Sequence, residues 1–211
     1  MKNKQTYFPD TGEYSLKEFT SQYTAMIKKA FDCMKEDDLE AIFEALASSI
    51  RSEKTIYTCG NGGSASIAEH LVCDFIKGTA TDSELDPKVI PLLTTPVITA
   101  IGNDIGYEEI FSYQIKKYAG KEDVLLCVSS SGDSPNIIKA IEAAKEKGML
   151  TLSFVGFSGG RAKEISDFSL HINHSNYGVV EDAHHILMHI FAQYLRLSHI
   201  DDKNKLGKIK F

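Results

Sequence analysis

Four serines crowd one short stretch of this 211-residue chain: Ser129, Ser130, Ser131 and Ser134, around Gly132 and Asp133. Hydroxyls at this density, together with the free N–H groups of a helix start, make a seat for an anion such as a phosphate. A Ser-rich turn with a capped helix would need only one or two of them. A second stretch, Gly60-Asn-Gly-Gly-Ser64, is built from small residues whose backbone can approach a ligand closely. It matches neither the dinucleotide fingerprint nor the nucleotide P-loop, so no nucleotide cofactor is expected.

A second set of residues is ionisable. His70 and Asp74 are four apart and share one face of a helix. Further on, Glu181, His185 and His189 fall at i, i+4 and i+8, with His184 one turn above Glu181. Three of the chain's seven histidines thus lie within six positions. Imidazoles and carboxylates at these spacings can bind a divalent metal such as zinc, or move protons. Spacing alone leaves both open, as it does the choice between His184 and His185.

The elements that hold these residues read as alternating strands and helices. Val124 to Val128 is an unbroken apolar run, the signature of a strand buried on both faces of a parallel sheet. The serine loop follows at once. Then Ile137, Ile138, Ala140, Ile141 and Ala144 recur at helical spacing, with Ser134 as N-cap and Pro135 at the first helical position. Thr55–Cys59 is the first strand, followed by Gly60–Ser64 and a helix over about 65–76. Further strands are expected at 89–93, 150–155 and 168–172. Short helices are expected at 95–101, at 107–118 and from Arg161, and a long one at 179–196. Gly102-Asn-Asp-Ile-Gly106 is a turn-rich loop.

Two helices precede the first strand. One starts at Ser15, where Glu18 completes a capping box, and one spans about 36–51. Their apolar faces exceed what one sheet face needs, which points to a partner subunit. The pattern as a whole is α/β with a parallel sheet, and both anion loops lie beyond the carboxyl ends of strands, where such sheets bind ligands. The first dozen residues, with Pro9 and Gly12, read as a weak arm, and 201–211 as a charged, frayed tail.

Composition narrows the classes. Hydrophobic residues make up 43% and charged ones 25%, ordinary for a globular protein. A net charge of −6 argues against a nucleic-acid partner. No apolar run approaches the length of a membrane span, and the start of the chain lacks a signal-peptide core. The four cysteines (Cys33, Cys59, Cys73, Cys127) show no CxxC spacing and suit a reducing cytoplasm.

In this order, Gly60-Asn-Gly-Gly-Ser64, Gly102-Asn-Asp104, Ser129–Ser134 and the Glu181-Asp-x-His…His189 helix resemble the sugar isomerase (SIS) domain, and within it the phosphoheptose isomerase group. The resemblance covers nearly the whole chain. It implies a three-layer αβα sandwich around a five-stranded parallel sheet, flavodoxin-like, with extra N-terminal helices. One SIS domain would then fill 1–211, with 1–52 for oligomerisation, 53–198 as the sugar-phosphate-binding core and 199–211 as tail. It implies a cytoplasmic homotetramer with active sites at subunit interfaces and a phosphorylated sugar as substrate.

The activity implied is aldose–ketose isomerisation through an enediol, from sedoheptulose 7-phosphate to D-glycero-D-manno-heptose 7-phosphate, which feeds lipopolysaccharide or capsule precursors. Ser129, Ser130, Ser131 and Ser134 match the family's phosphate loop, and Asn61, Gly62, Gly63, Ser64, Asn103 and Asp104 its sugar contacts. His70, Asp74, Glu181 and His189 would hold one zinc per subunit, with Asp74 and His189 as the acid/base pair and Glu181 also touching substrate. Two positions depart: Asp74 stands where the family commonly has glutamate, and Glu181 where it commonly has glutamine. The family also includes a non-catalytic relative that associates with a replication initiator, and isomerases of other phosphosugars.

Overall fold

A computed structural model describes residues 14–200 together with Asp202 and Asn204. The expected N-terminal arm and most of the expected tail lie outside the described residues. Five strands form one parallel sheet: β1 (Thr55–Gly60), β2 (Lys88–Pro91), β3 (Val124–Ser129), β4 (Leu150–Val155) and β5 (Phe168–His171). Their order is β2-β1-β3-β4-β5, the flavodoxin-like arrangement with its switch point between β1 and β3. Register there pairs Cys59 with Cys127 and Gly60 with Val128, so both anion loops leave the sheet side by side.

Among the described residues, eight α-helices cover the two faces. α1 (Leu16–Asp32), α2 (Glu36–Arg51), α3 (Gly63–Cys73) and α8 (Tyr177–Ser198) belong to one layer, with α8 packed on α1 and α3. On the other side, α5 (Ser112–Tyr118) and α7 (Gly160–Ile165) pack on α6 (Pro135–Glu146), and α4 (Thr95–Asp104) lies beside Tyr107–Glu109. Every residue of β3 is buried, as a central strand covered on both faces must be. Ile56, Leu126, Phe154, Leu187 and Phe191 join strands and helices into one core. Each such fully buried side chain contributes roughly 1.5–3 kcal/mol by leaving water.

Local chemistry explains the helix starts. Ser15 and Glu18 form the expected capping box at α1. Asn176 caps α8 by accepting from the N–H groups of Gly178 and Val179, a start two residues ahead of the one expected from apolar spacing. Pro135 opens α6, but the Ser134 hydroxyl makes no capping bond there. Two expected helices come out differently. The one at 107–118 is a 3₁₀ turn over Tyr107–Glu109 followed by α5. The one at 65–76 begins earlier, at Gly63, and widens after Cys73 into a π-helical turn, Asp74–Thr79. Such turns concentrate at functional sites because they re-aim side chains, and Asp74 is the first residue of this one.

Candidate active site

The serine loop is held open by its own hydroxyls. Ser129 Oγ accepts from the Gly132 N–H (3.1 Å), and Ser131 Oγ accepts from the Asp133 N–H (3.2 Å). Their O–H protons stay available to an anion. The Ser130 hydroxyl is buried and bonds nothing among the described residues. A buried polar atom without a partner is costly unless a ligand satisfies it. Gly132 has φ +68, and a Cβ there would collide with the Gly159 carbonyl of the next loop. Only glycine lets the two loops close on each other. The Arg161 N–H then donates to Asp133 and the Ala162 N–H to the Gly132 carbonyl, pinning the loop to the start of α7.

A cleft opens beside this loop, lined by Asn61, Ser64, Ser129, Ser130, Ser131, Ser134, Phe157, Tyr177 and Glu181. The starts of α3 and α6 both border it, so two helix dipoles present positive ends to one small volume. Glu181 lies against Gly63 so closely that any Cβ there would overlap its carboxylate. Burial, with Asp182 beside it, raises the Glu181 pKa and favours its neutral form.

One turn along α8 the polar character changes. His185 and His189 face the end of α3, where His70 and, just beyond the helix, Asp74 meet them. His70 Nδ1 lies 2.8 Å from His185 Nε2. His189 Nδ1 lies 2.6 Å from Asp74 Oδ2, and His70 Nε2 lies 3.4 Å from Asp74 Oδ1. Ligand atoms of His70, His185 and His189 all fall within 4.8 Å of one another. Asp74 is buried, its side chain 11% exposed, while the imidazoles of His70 and His189 keep about two-fifths of their surface. Burial and the neighbouring imidazoles lower the His185 pKa, which keeps a nitrogen lone pair free for a metal. Three imidazole nitrogens and a carboxylate oxygen are a donor set suited to zinc.

The expected residues therefore fall into two groups. His70, Asp74 and His189 converge. Glu181 stands in the serine cleft, and His185 occupies the place beside the other imidazoles. His184 is fully buried against Phe154, with its pKa lowered by burial to about 4. It is a neutral core residue. Asn61 and Ser64 line the cleft. Asn103 and Asp104 are exposed at the end of α4, bonded to each other at 2.7 Å. Gly62, at φ +55, turns the chain into α3. Sequence spacing missed Asn136, which bonds Asn61. Its position, second in a helix that follows an anion loop, was the available signal.

The chain is similar to known proteins in sequence and in fold. Residues 18–156 match the SIS domain model. A phosphoheptose isomerase of Helicobacter pylori (strain P12) is 36% identical over 189 residues, covering 89% of this chain and 96% of its own. One of Burkholderia pseudomallei (strain 1710b) is 38% identical over 152 residues, 72% of this chain and 77% of its own. Among solved structures, a phosphoheptose isomerase from Francisella tularensis superposes with a TM-score of 0.77 at 25% identity, covering 88% of this chain and all (100%) of that one. Another from Neisseria gonorrhoeae gives 0.76 at 27% identity, with 83% and 94% covered.

Proposed function

The chain belongs to the SIS domain family, in its phosphoheptose isomerase group, and from that premise we propose that it interconverts sedoheptulose 7-phosphate and D-glycero-D-manno-heptose 7-phosphate. The observation that carries this reading is the stripe along α8: Glu181 in the serine cleft, then His185 and His189 in the imidazole cluster. Glu181 and His189 are eight positions apart, about 12 Å along a helix. A phosphosugar seated by its phosphate among the serines can extend along this stripe toward the cluster.

Ser129, Ser130, Ser131 and Ser134 bind the phosphate, and the starts of α3 and α6 add their dipoles. This end does not react; it supplies binding energy that orients the carbonyl end. Asn61, Gly62, Gly63, Ser64, Asn103, Asp104 and Glu181 contact the sugar chain. Asp74 and His189 share a hydrogen bond of 2.6 Å and act as one acid/base unit. One takes the proton from the carbon beside the carbonyl while the carbonyl oxygen gains a proton to give the enediol; the other enediol hydroxyl then gives up its proton as the former carbonyl carbon receives the proton first removed. Asp74, shorter than glutamate, still reaches His189, at 2.6 Å.

Zinc fits the cluster, held by His70, Asp74 and His189 with His185 beside them; Glu181, also expected as a ligand, lies in the serine cleft. When bound, it supplies positive charge that stabilises the enediolate oxygen. The protein works in the cytoplasm, with its four free cysteines, as a single SIS unit. The exposed apolar side chains Ile186, Ile190, Tyr194 and Leu197 on α8 support assembly into a homotetramer with active sites at the interfaces. The decisive experiment is turnover of sedoheptulose 7-phosphate with and without chelator. Turnover that chelator abolishes and zinc restores supports the whole reading. No turnover by the zinc-loaded protein, with the phosphosugar still bound, would leave a non-catalytic phosphosugar-binding protein.

A further inference from the structure

Asn136 is the second residue of α6 and 1% exposed, and it is absent from the lining of the serine cleft. Its amide closes a two-bond ring with Asn61 across the switch point of the sheet. Asn61 Nδ2 donates to Asn136 Oδ1 at 2.9 Å, and Asn136 Nδ2 donates to Asn61 Oδ1 at 2.8 Å. The Tyr107 hydroxyl donates to the same Asn61 Oδ1 at 3.1 Å.

We propose that Asn136 is a positioning residue that sets the orientation of the Asn61 amide for the sugar; the inference rests on reading the cleft as a phosphosugar site. A free asparagine amide can present either its oxygen or its nitrogen to a ligand. Here Oδ1 already accepts two donors, and one Nδ2 hydrogen is committed to Asn136. The uncommitted group is the second Nδ2 hydrogen, so Asn61 meets the sugar as a donor, to a hydroxyl or carbonyl oxygen. Asn136 rides on the helix whose start seats the phosphate. The phosphate seat and the sugar donor are therefore tied into one unit, with the buried amide ring as the tie. Tyr107, from the segment that follows Asn103 and Asp104, adds the third loop to the same atom.

Asn136→Leu tests this, because an uncharged side chain of similar size neither donates to Asn61 nor accepts from it. Asn61 Oδ1 loses one of its donors and the amide is free to turn. Calorimetry would compare sedoheptulose 7-phosphate with inorganic phosphate. The expected result is about tenfold weaker binding of the sugar phosphate, with inorganic phosphate unchanged because the serine loop is intact. Tyr107→Phe, an exposed change that leaves the core alone, should weaken the sugar phosphate about threefold with the same selectivity. In an Asn61→Ala background, Asn136→Leu should cost nothing further. Unchanged sugar-phosphate affinity in both single variants overturns the proposal, as does an equal loss for both ligands or an additive loss on top of Asn61→Ala. A parent that binds the sugar phosphate but does not turn it over sinks the isomerase reading and leaves this test intact. A parent that binds neither ligand overturns both.

Discussion

The serine cleft and the imidazole cluster sit on one stripe of α8 and are built by opposite means. The cleft takes most of its polar atoms from one loop of consecutive residues, and its side chains are mostly neutral. Its attraction for an anion comes from hydroxyls, backbone N–H groups and two helix starts. The cluster takes its atoms from two helices whose bonded residues are 115 positions apart, and its groups carry or exchange charge. A neutral seat holds a phosphate without repelling or trapping it. A charged cluster can move a proton and hold a cation. Placing both on one helix fixes the distance between the end of the substrate that is held and the end that reacts.

If that division of labour is right, damage to the cluster should strike turnover and spare phosphate binding. Asp74→Asn preserves shape but loses the basic carboxylate, so kcat should fall about 100-fold or more, with inorganic phosphate affinity unchanged in calorimetry. A variant as fast as the parent would remove Asp74 from the chemistry and leave His189 to act alone. Asp74→Glu, with its longer reach, should retain activity.

Damage to the cleft should do the reverse. Ser131→Asp puts a negative charge at the phosphate seat, and binding of the sugar phosphate should become undetectable, whereas Ser131→Ala should weaken it about tenfold. The melting temperature should hardly move in either, because Ser131 lies in a solvent-accessible loop. Unchanged affinity in the aspartate variant would break the assignment of the cleft.

A smaller effect separates the two regions by ligand. Chelator should lower the melting temperature by several degrees, since a metal present at 100 times its Kd stabilises the folded state by about 2.7 kcal/mol. His185→Ala should reduce that shift, and Glu181→Ala should leave it largely intact. The opposite ranking would mean that Glu181 swings out of the cleft to serve the cluster.

The smallest effect concerns charge in the cleft. Glu181→Gln removes an ionisable group from beside the phosphate seat and should tighten phosphate binding about two- to threefold at low salt. Weaker binding would mean that Glu181 works there in its protonated form, as a hydrogen-bond donor.

The regions also differ in how far they could be read from sequence. The cleft's chemistry is local. Strand, hydroxyl-rich loop and helix start are contiguous between Val124 and Ala144, and hydrophobic period plus turn chemistry suffices to place them. The capping box at Ser15 and Glu18 was legible for the same reason. Helix boundaries set by longer contacts were not. The π-helical turn at Asp74 forms where α8 packs against that segment, and propensity contains no trace of it. The break before α5 likewise arises where Tyr107–Glu109 packs against α4 and α6.

By itself the sequence determined the alternation of strands and helices, the two anion loops at the carboxyl ends of β1 and β3, and the helical stripes carrying His70 and Asp74 and Glu181, His185 and His189. Those features follow from periods of 2 and 3.6 residues and from cap and turn chemistry, which act over a few residues. Only the tertiary structure decided which ionisable groups meet. His184 and His185 are adjacent in the chain, yet helical geometry turns their side chains about 100° apart. One ring is sealed against Phe154 and held neutral, and the other stands beside His70 and His189. The packing of α8 on α3 also leaves Glu181 in the cleft against Gly63, and the loop after β1 meets α6 to close the amide ring of Asn61 and Asn136. Local spacing limits what a helix face can present, and packing chooses what that face touches.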